Sequence, residues 1–140
     1  MDASDVAKIP LFADLDEEEA ARLAELFREE NALPGRRPTI QGDFGYRFFV
    51  VLEGTAVVRV DGKEVAELGP GDFFGEMALL DDAGRRTAEV DVTSKMRYAS
   101  LMTWEFRKVL DDHPEILAKV QTAIEERRAR DQETRRGDSG

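Results

Sequence analysis

Hydrophobic and polar residues follow two different periods along this chain. From Leu15 to Glu30 the apolar residues recur at helical spacing, and Asp16 followed by Glu19 is a capping signature, so we predict an amphipathic helix here. From Asn31 to Leu101 short β-rich runs are separated by turn residues, a pattern typical of a sandwich or jelly roll. The pattern therefore predicts a mainly β fold with flanking helices.

Turn sequences punctuate the β-rich region. The clearest is Asp61-Gly62 between TAVVRV and KEVAEL, because an Asp-Gly pair supplies the positive φ angles that a tight hairpin requires. Other predicted turns are Gly42-Asp43, Glu53-Gly54 and Gly69-Pro70-Gly71-Asp72.

Two helices are predicted after the strands. The first follows Thr103 and carries Glu105 in its first turn, and the second begins at Pro114 and runs to about Arg130. Its apolar stripe lies either against the roll or against a copy of itself; the stripe is Ile116, Val120 and Ile124. We expect one domain over residues 1–130, with the roll at about 31–101, closing helices at about 103–130 and a disordered tail at 131–140.

Composition narrows the function classes. The chain has 140 residues, 41% hydrophobic and 36% charged, which is typical of a soluble globular domain. A net charge of -10 disfavours nucleic-acid binding, so any bound phosphate needs a local cationic cluster. There is no cysteine, and neither a signal peptide nor an apolar run long enough to span a bilayer, so we expect no membrane association and a cytoplasmic location.

His113 is the only histidine, which disfavours a metal cluster or a Ser–His–Asp triad. We expect it to cap a helix or lie at the surface before Pro114, and we expect neither enzyme activity nor a cofactor. We expect Trp104 to be a core residue rather than a lid.

The segment from Phe74 to Val90 reads FGEMALLDDAGRRTAEV and has the chemistry of an anion site. Gly75 lets backbone approach a ligand, and a short helix beginning at Glu76 points unpaired N–H groups at an anion. Strand alternation places Arg86 on the apolar face of Ala88, Val90 and Val92, where a guanidinium needs an anionic partner. That partner is a ligand or an internal carboxylate, either Glu76 or Asp72. By the same alternation Glu89 points into water.

IPLF before the first helix, GDFGYRFFVVLEGTAVV, LGPGDFFGEMALL, RRTAEV and the DDHP junction together resemble the cyclic nucleotide-binding domain family. The likeness covers residues 9 to 128. It implies an eight-stranded jelly-roll β-roll with an N-terminal helix and two C-terminal helices, and a regulatory module whose ligand is cAMP or cGMP.

The resemblance also implies roles for particular residues. Gly75 and Glu76 would meet the ribose, the backbone of Met77 and Ala78 would face the cyclic phosphate, and Arg86 would pair with the phosphate, or Arg85 if the register differs by one. Thr87 and Ala88 would line the same pocket, and Phe73 and Phe74 would be one core and one wall residue. Thr87 leaves the choice of base open.

The C-terminal helices would close on the ligand, with the stem from Pro114 to Arg130 as the mobile part. Its signal would pass to an effector protein or to a homodimer formed through the last helix. The acidic pair Asp81-Asp82 favours an alternative, a roll that acts as a nucleotide-independent interaction or dimerisation module.

Overall fold

The computed structural model describes residues 1–38, 46–75 and 88–138, with side chains through residue 134. The helices in these ranges are α1 (Ala3–Ala7), a 3₁₀ helix (Pro10–Phe12), α2 (Glu17–Leu26), α3 (Thr103–Asp112) and α4 (Pro114–Asp138). The strands are β1 (Arg28–Ala32), β2 (Arg47–Glu53), β3 (Ala56–Val60), β4 (Lys63–Leu68), β5 (Phe73–Phe74), β6 (Glu89–Val92) and β7 (Met96–Met102).

The strands form two antiparallel sheets. One has the order β1-β7-β2-β5 and the other has the order β4-β3-β6. Helices precede β1 and follow β7. The predicted mainly β fold with an N-terminal helix and two C-terminal helices is confirmed.

The middle of the first sheet packs against a core on each face. Successive side chains of a strand point to opposite sides of the sheet, so one strand contributes to both cores. On β2, Phe48 and Val50 pack with residues of the helices, whereas Phe49 and Val51 pack with residues of the second sheet. All four are at most 1% exposed. The chain therefore has a helix-covered core and a roll core that share one sheet as their common wall.

The first long helix is shorter than the prediction of Leu15 to Glu30. Asp16 caps it as expected, with the Glu19 amide donating to the Asp16 carboxylate at 2.8 Å and the Asp16 amide donating to Glu19 at 3.2 Å. The helix ends at Leu26, and Arg28–Ala32 instead pairs along its whole length with β7. Strand pairing overrides the helical propensity of REEN in this segment.

The predicted Asp61-Gly62 hairpin is confirmed. Val60 pairs with Lys63, so the loop consists of these two residues alone. Their φ angles are +52° and +80°, as a type I′ turn requires.

The closing helices begin close to the predicted positions. Thr103 is the first residue of α3, and the amide of Met102 before it donates to Glu105 at 3.1 Å. The helix α4 begins at Pro114 and continues to Asp138, beyond the expected end near Arg130, so the segment expected to be a tail is helical through Asp138. Its stripe Ile116, Val120 and Ile124 is at most 3% exposed and belongs to the helix-covered core, which decides between the roll and a second copy as its packing partner.

Gly54 lies where its turn closely approaches the chain at Lys95 and Met96. A Cβ atom there would overlap the backbone of Lys95 and Met96, whereas a Cβ atom at Gly62 would meet nothing within 4 Å. Both glycines have similar positive φ angles, +86° and +80°, so each alanine variant carries a backbone strain of about 1–2 kcal/mol. We expect Gly54→Ala to lower the free energy of unfolding by a further ~1–3 kcal/mol relative to Gly62→Ala in urea titrations. Equal losses in the two variants would contradict the close approach.

Candidate ligand-binding site

A tight turn sets the start of β5. The Asp72 amide donates to the Gly69 carbonyl at 3.0 Å, and the Gly69 amide donates to the Asp72 carboxylate at 2.8 Å. Gly71 has a φ of +91°, so its turn role is confirmed, and its amide donates to the Val51 carbonyl at 2.9 Å. The turn is thereby tied to β2 at the point where β5 begins.

The chain leaves β5 through Gly75, whose φ is +84°. This left-handed conformation is readily adopted only by glycine, so the residue predicted to let backbone approach a ligand also has a conformational reason to be glycine. Any side chain at Gly75 would change the direction in which the following segment departs.

Phe74 anchors this departure point to the roll core. Its ring lies 4.5 Å from the Phe49 ring at an interplanar angle of 8°, and its side chain is 3% exposed. Phe73 is half-buried and packs on the other side of the sheet, with its ring 5.6 Å from Phe48. Phe74 is therefore a core residue, whereas Phe73 is partly exposed to solvent.

Ala88 is the first described residue after the cassette segment. Val90 and Val92 of β6 are 3% and 2% exposed and lie in the roll core, and the half-buried Ala88 packs against the same cluster. The predicted inward face is confirmed for these three residues. Phe74, on a strand of one sheet, and Ala88, directly before a strand of the other sheet, thus contact one hydrophobic cluster and bound the predicted cassette.

Six of the predicted site residues lie outside the described residues. They are Glu76, Met77, Ala78, Arg85, Arg86 and Thr87. The structure describes the frame on either side of them, formed by Phe74 and Gly75 before and Ala88 after. Their assignments stay predictions.

Glu89 does not point freely into water as predicted. Its side chain is only 22% exposed, and its carboxylate lies 3.5 Å from Arg37. Asp91 on the same face contacts Arg37 at 3.0 Å and also pairs with Arg59. The prediction failed because it considered β6 alone, whereas β3 and the loop after β1 supply arginines to this face.

The helix α4 reaches the strand that enters the cassette. The Arg127 guanidinium lies 4.7 Å from the centre of the Phe73 ring, which is a cation–π geometry. One turn further, Asp131 is 3% exposed and accepts hydrogen bonds from Arg130, with the Nε atom at 3.0 Å. Sequence reasoning missed these residues because the helix was expected to end near Arg130 and the segment after it has no apolar anchor.

A partly exposed polar cluster of Glu30, Arg47 and the buried Tyr98 adjoins the Phe49–Phe74 stack. Glu30 accepts from the Tyr98 hydroxyl at 2.7 Å and from both terminal nitrogens of Arg47 at 3.2 and 3.3 Å. The Tyr98 and Arg47 side chains both contact the Phe49 ring, with centroid distances of 5.7 and 5.0 Å. Burial and the hydrogen bond to Glu30 raise the pKa of Tyr98 above its usual value.

We predict that Tyr98 ionises late in an alkaline titration. The raised pKa means that the stability linked to the neutral phenol is present below about pH 10 and is lost as pH rises through the folded-state pKa. In an ultraviolet titration, the ionisation of Tyr98 should appear as an absorbance change above about pH 10. This change should be absent from Tyr98→Phe and present in the control variant Tyr46→Phe. A lost step at or below about pH 10 would contradict the proposed burial.

The predictions for the chain's one tryptophan and one histidine have different outcomes. Trp104 is 55% exposed, so the prediction of a core position is wrong; α3 buries Thr103, Phe106 and Leu110 instead. His113 caps the end of α3 as expected, and its Nδ1 atom lies 3.3 Å from both Glu19 and Glu115. Within the described parts of the chain, no three His, Asp or Glu side chains form a group suited to a metal ion.

The chain belongs to the cyclic nucleotide-binding domain family, whose sequence model matches residues 29–113. A similar relative is the cAMP-dependent protein kinase regulatory subunit of Colletotrichum orbiculare, 32% identical over 126 residues that cover 85% of this chain and 32% of the relative. The chain therefore spans about a third of the length of that curated relative.

Solved structures have the same fold. A cAMP-bound structure of PfPKA-R aligns with a TM-score of 0.87 and 23% identity, covering 94% of this chain and 45% of the other, which supports the fold alone. The regulatory subunit of a cAMP-independent protein kinase A from Trypanosoma cruzi, bound to guanosine, aligns with a TM-score of 0.73 and 30% identity, covering 83% of this chain and 42% of the other. Across the described residues, the helices contain no stretch with the length and hydropathy needed for a membrane crossing.

Proposed function

We propose that this chain binds a cyclic nucleotide, cAMP or cGMP, as the ligand of a regulatory domain. The observation that carries the proposal is the frame of the cassette, because Phe74 and Ala88, which lie on either side of segment 76–87, contact one core. The family match over residues 29–113 includes this whole segment.

In this proposal the cassette residues keep the roles that the family pattern implies. Glu76, with Gly75, accepts from the ribose 2′-hydroxyl. The backbone amides of Met77 and Ala78 bind the cyclic phosphate, as amides at a helix N-terminus do for anions. Thr87 and Ala88 line the same pocket.

Arg86 is the proposed partner of the phosphate. The inward orientation of Val90 and Val92 supports this role, because the alternating pattern of the sequence puts Arg86 on the same predicted face as these two residues. A buried guanidinium without an anionic partner is strongly unfavourable. In a chain of net charge -10, such a local cation also offsets the repulsion of an anionic ligand.

Ligand binding is proposed to favour a closed position of α4 over the roll. The contact of Arg127 with Phe73, two residues before Gly75, supports a link between the helix and the cassette. A ligand shifts such an equilibrium only when it binds one position better than the other. The signal would pass from α4 to an effector, either a separate protein or another segment of a longer protein.

A second candidate function is a roll that does not respond to cyclic nucleotides. The similarity to the regulatory subunit of a cAMP-independent protein kinase A from Trypanosoma cruzi, which is bound to guanosine, supports this candidate. It predicts binding of a nucleoside, or of a protein partner alone, without a requirement for the cyclic phosphate.

Thermal shift with matched ligands tests the proposal. At a free concentration about 100 times the dissociation constant, cAMP or cGMP should stabilise the fold by about 2.7 kcal/mol and raise the melting temperature by roughly 8 °C. The 2′-deoxy analogue should bind more weakly by about 1–3 kcal/mol because it leaves the Glu76 carboxylate unpaired. Stabilisation by guanosine but by neither cyclic nucleotide would favour the second candidate and contradict the first.

Adjacent arginines provide a matched pair of variants for the phosphate contact. We expect Arg86→Ala to weaken cyclic nucleotide binding by about 2–5 kcal/mol, since it removes one partner of a desolvated charge pair. Arg85→Ala should change affinity by less than about 1 kcal/mol, because in this proposal Arg85 does not contact the phosphate. Isothermal titration calorimetry measures both, and the reverse order would assign the phosphate to Arg85.

A further inference from the structure

A row of side chains crosses the first sheet on the side that faces the roll core. Glu30 on β1 is the register partner of Tyr98 on β7. Phe49 on β2 is the register partner of Phe74 on β5. The rings of Tyr98 and Phe49 meet edge to face at 5.7 Å, so the row runs from the edge strand β1 to the edge strand β5.

The β1 end of the row is polar and is joined to Arg47. The two terminal nitrogens of Arg47 donate to the two carboxylate oxygens of Glu30 at 3.2 and 3.3 Å, and the Tyr98 hydroxyl donates to the same carboxylate at 2.7 Å. A fork of two parallel hydrogen bonds fixes the plane of a guanidinium as well as its position. The carboxylate of Glu30 thereby links side chains of β2 and β7 to β1.

The Phe49 ring connects this polar end to the apolar end of the row. The Arg47 guanidinium lies 5.0 Å from the centre of the Phe49 ring, and the Phe74 ring stacks on it at 4.5 Å with an interplanar angle of 8°. Phe49 and Phe74 are 1% and 3% exposed, so both rings are enclosed by packed atoms. The place where the Phe74 ring stacks therefore depends on how the Phe49 ring is held.

The strand β5 needs this support from side chains. Its register with β2 consists of two residue pairs, Phe49 with Phe74 and Val50 with Phe73. Gly75 follows Phe74 directly and has a φ of +84°, so the chain turns away from the sheet one residue after the stacked ring. A displaced Phe74 ring would change the direction in which the chain leaves the sheet toward the predicted cassette.

We infer that Glu30, Arg47 and Tyr98 are positioning residues of the ligand site, which act on the departure of the chain at Gly75 through the Phe49 and Phe74 rings. This role requires no contact between the three residues and the ligand. The effect on β5 follows from the described contacts, whereas the effect on ligand affinity rests on the proposed function. Affinity is affected because a site that is correctly formed for only part of the time binds its ligand correspondingly more weakly.

Hydrogen exchange of the ligand-free protein, followed by NMR, tests the effect on β5. Arg47→Met keeps an unbranched side chain and removes the guanidinium. It should speed exchange of the β5 backbone amides by roughly 2- to 30-fold, the effect expected from losing one cation–π contact. Tyr98→Phe keeps the ring and removes the hydrogen bond to Glu30, so it should act in the same direction by roughly 2- to 10-fold.

Arg59→Met is the matched control. Arg59 also lies on a strand and pairs with a carboxylate, that of Asp91, and its side chain is 36% exposed compared with 35% for Arg47. It belongs to the second sheet, away from the Phe49–Phe74 stack, so β5 should exchange as in the wild type. Equal exchange of β5 in Arg47→Met and Arg59→Met would overturn the positioning role.

Calorimetry with cAMP and cGMP tests the effect on the ligand site. Arg47→Met should weaken binding of the nucleotide that the wild type binds by roughly 2- to 30-fold, and Arg59→Met should bind it like the wild type. In a Phe74→Leu background the loss caused by Arg47→Met should shrink, because leucine lacks the ring through which the effect passes. A loss that only reflects lower overall stability would be the same in both backgrounds, and this result would overturn the route through Phe74.

The two experiments separate this inference from the proposed function. Absence of cAMP and cGMP binding by the wild type would reject the proposed function, and the exchange comparison would still decide whether the polar cluster positions β5. Faster exchange of β5 in Arg47→Met together with wild-type affinity would reject the positioning of the ligand site and keep the function.

Discussion

Two adjacent phenylalanines on β5 fix the position of the strand that leads into the predicted cassette, because their rings enter different cores. The Phe74 ring stacks on Phe49 inside the roll, and the Phe73 ring packs toward Phe48 on the helix-covered side. A strand of only two residues has few backbone hydrogen bonds, so side-chain burial on both faces is what fixes its position. Gly75, the first predicted site residue after β5, directly follows this anchor.

Local ion pairs reduce the effect of the chain's acidic charge around the roll. Acidic residues near the roll are compensated locally: Glu30 binds Arg47 and Tyr98, and Asp91 binds Arg37 and Arg59. Each of these negative charges is therefore partly neutralised by a neighbouring positive charge. This matters because charges at short range are screened least by salt. The remaining repulsion from the net charge of -10 then comes mainly from distant charges, which the solvent screens.

Local sequence signals predicted those features that depend on local physics. The Asp61-Gly62 hairpin, the Asp16 cap and the inward alternation of Val90 and Val92 need only neighbouring residues, and all three are confirmed. The errors concern residues whose partners are distant in sequence. Arg28–Ala32 pairs with β7, Glu89 meets an arginine from another segment, and Trp104 falls one residue outside the buried face of α3. The polar continuation of α4 gave no hydrophobic signal, so the contact of Arg127 with Phe73 was not predicted from the sequence.

The buried face of α4 changes from apolar to polar side chains after Ile124. Coupling between two sites of a regulatory protein is typically about 1–3 kcal/mol. Burying three branched apolar side chains contributes about 1.5–3 kcal/mol each, which a ligand of ordinary differential affinity would not reverse. One cation–π contact contributes about 0.5–2 kcal/mol, which lies within the range that ligand binding can shift.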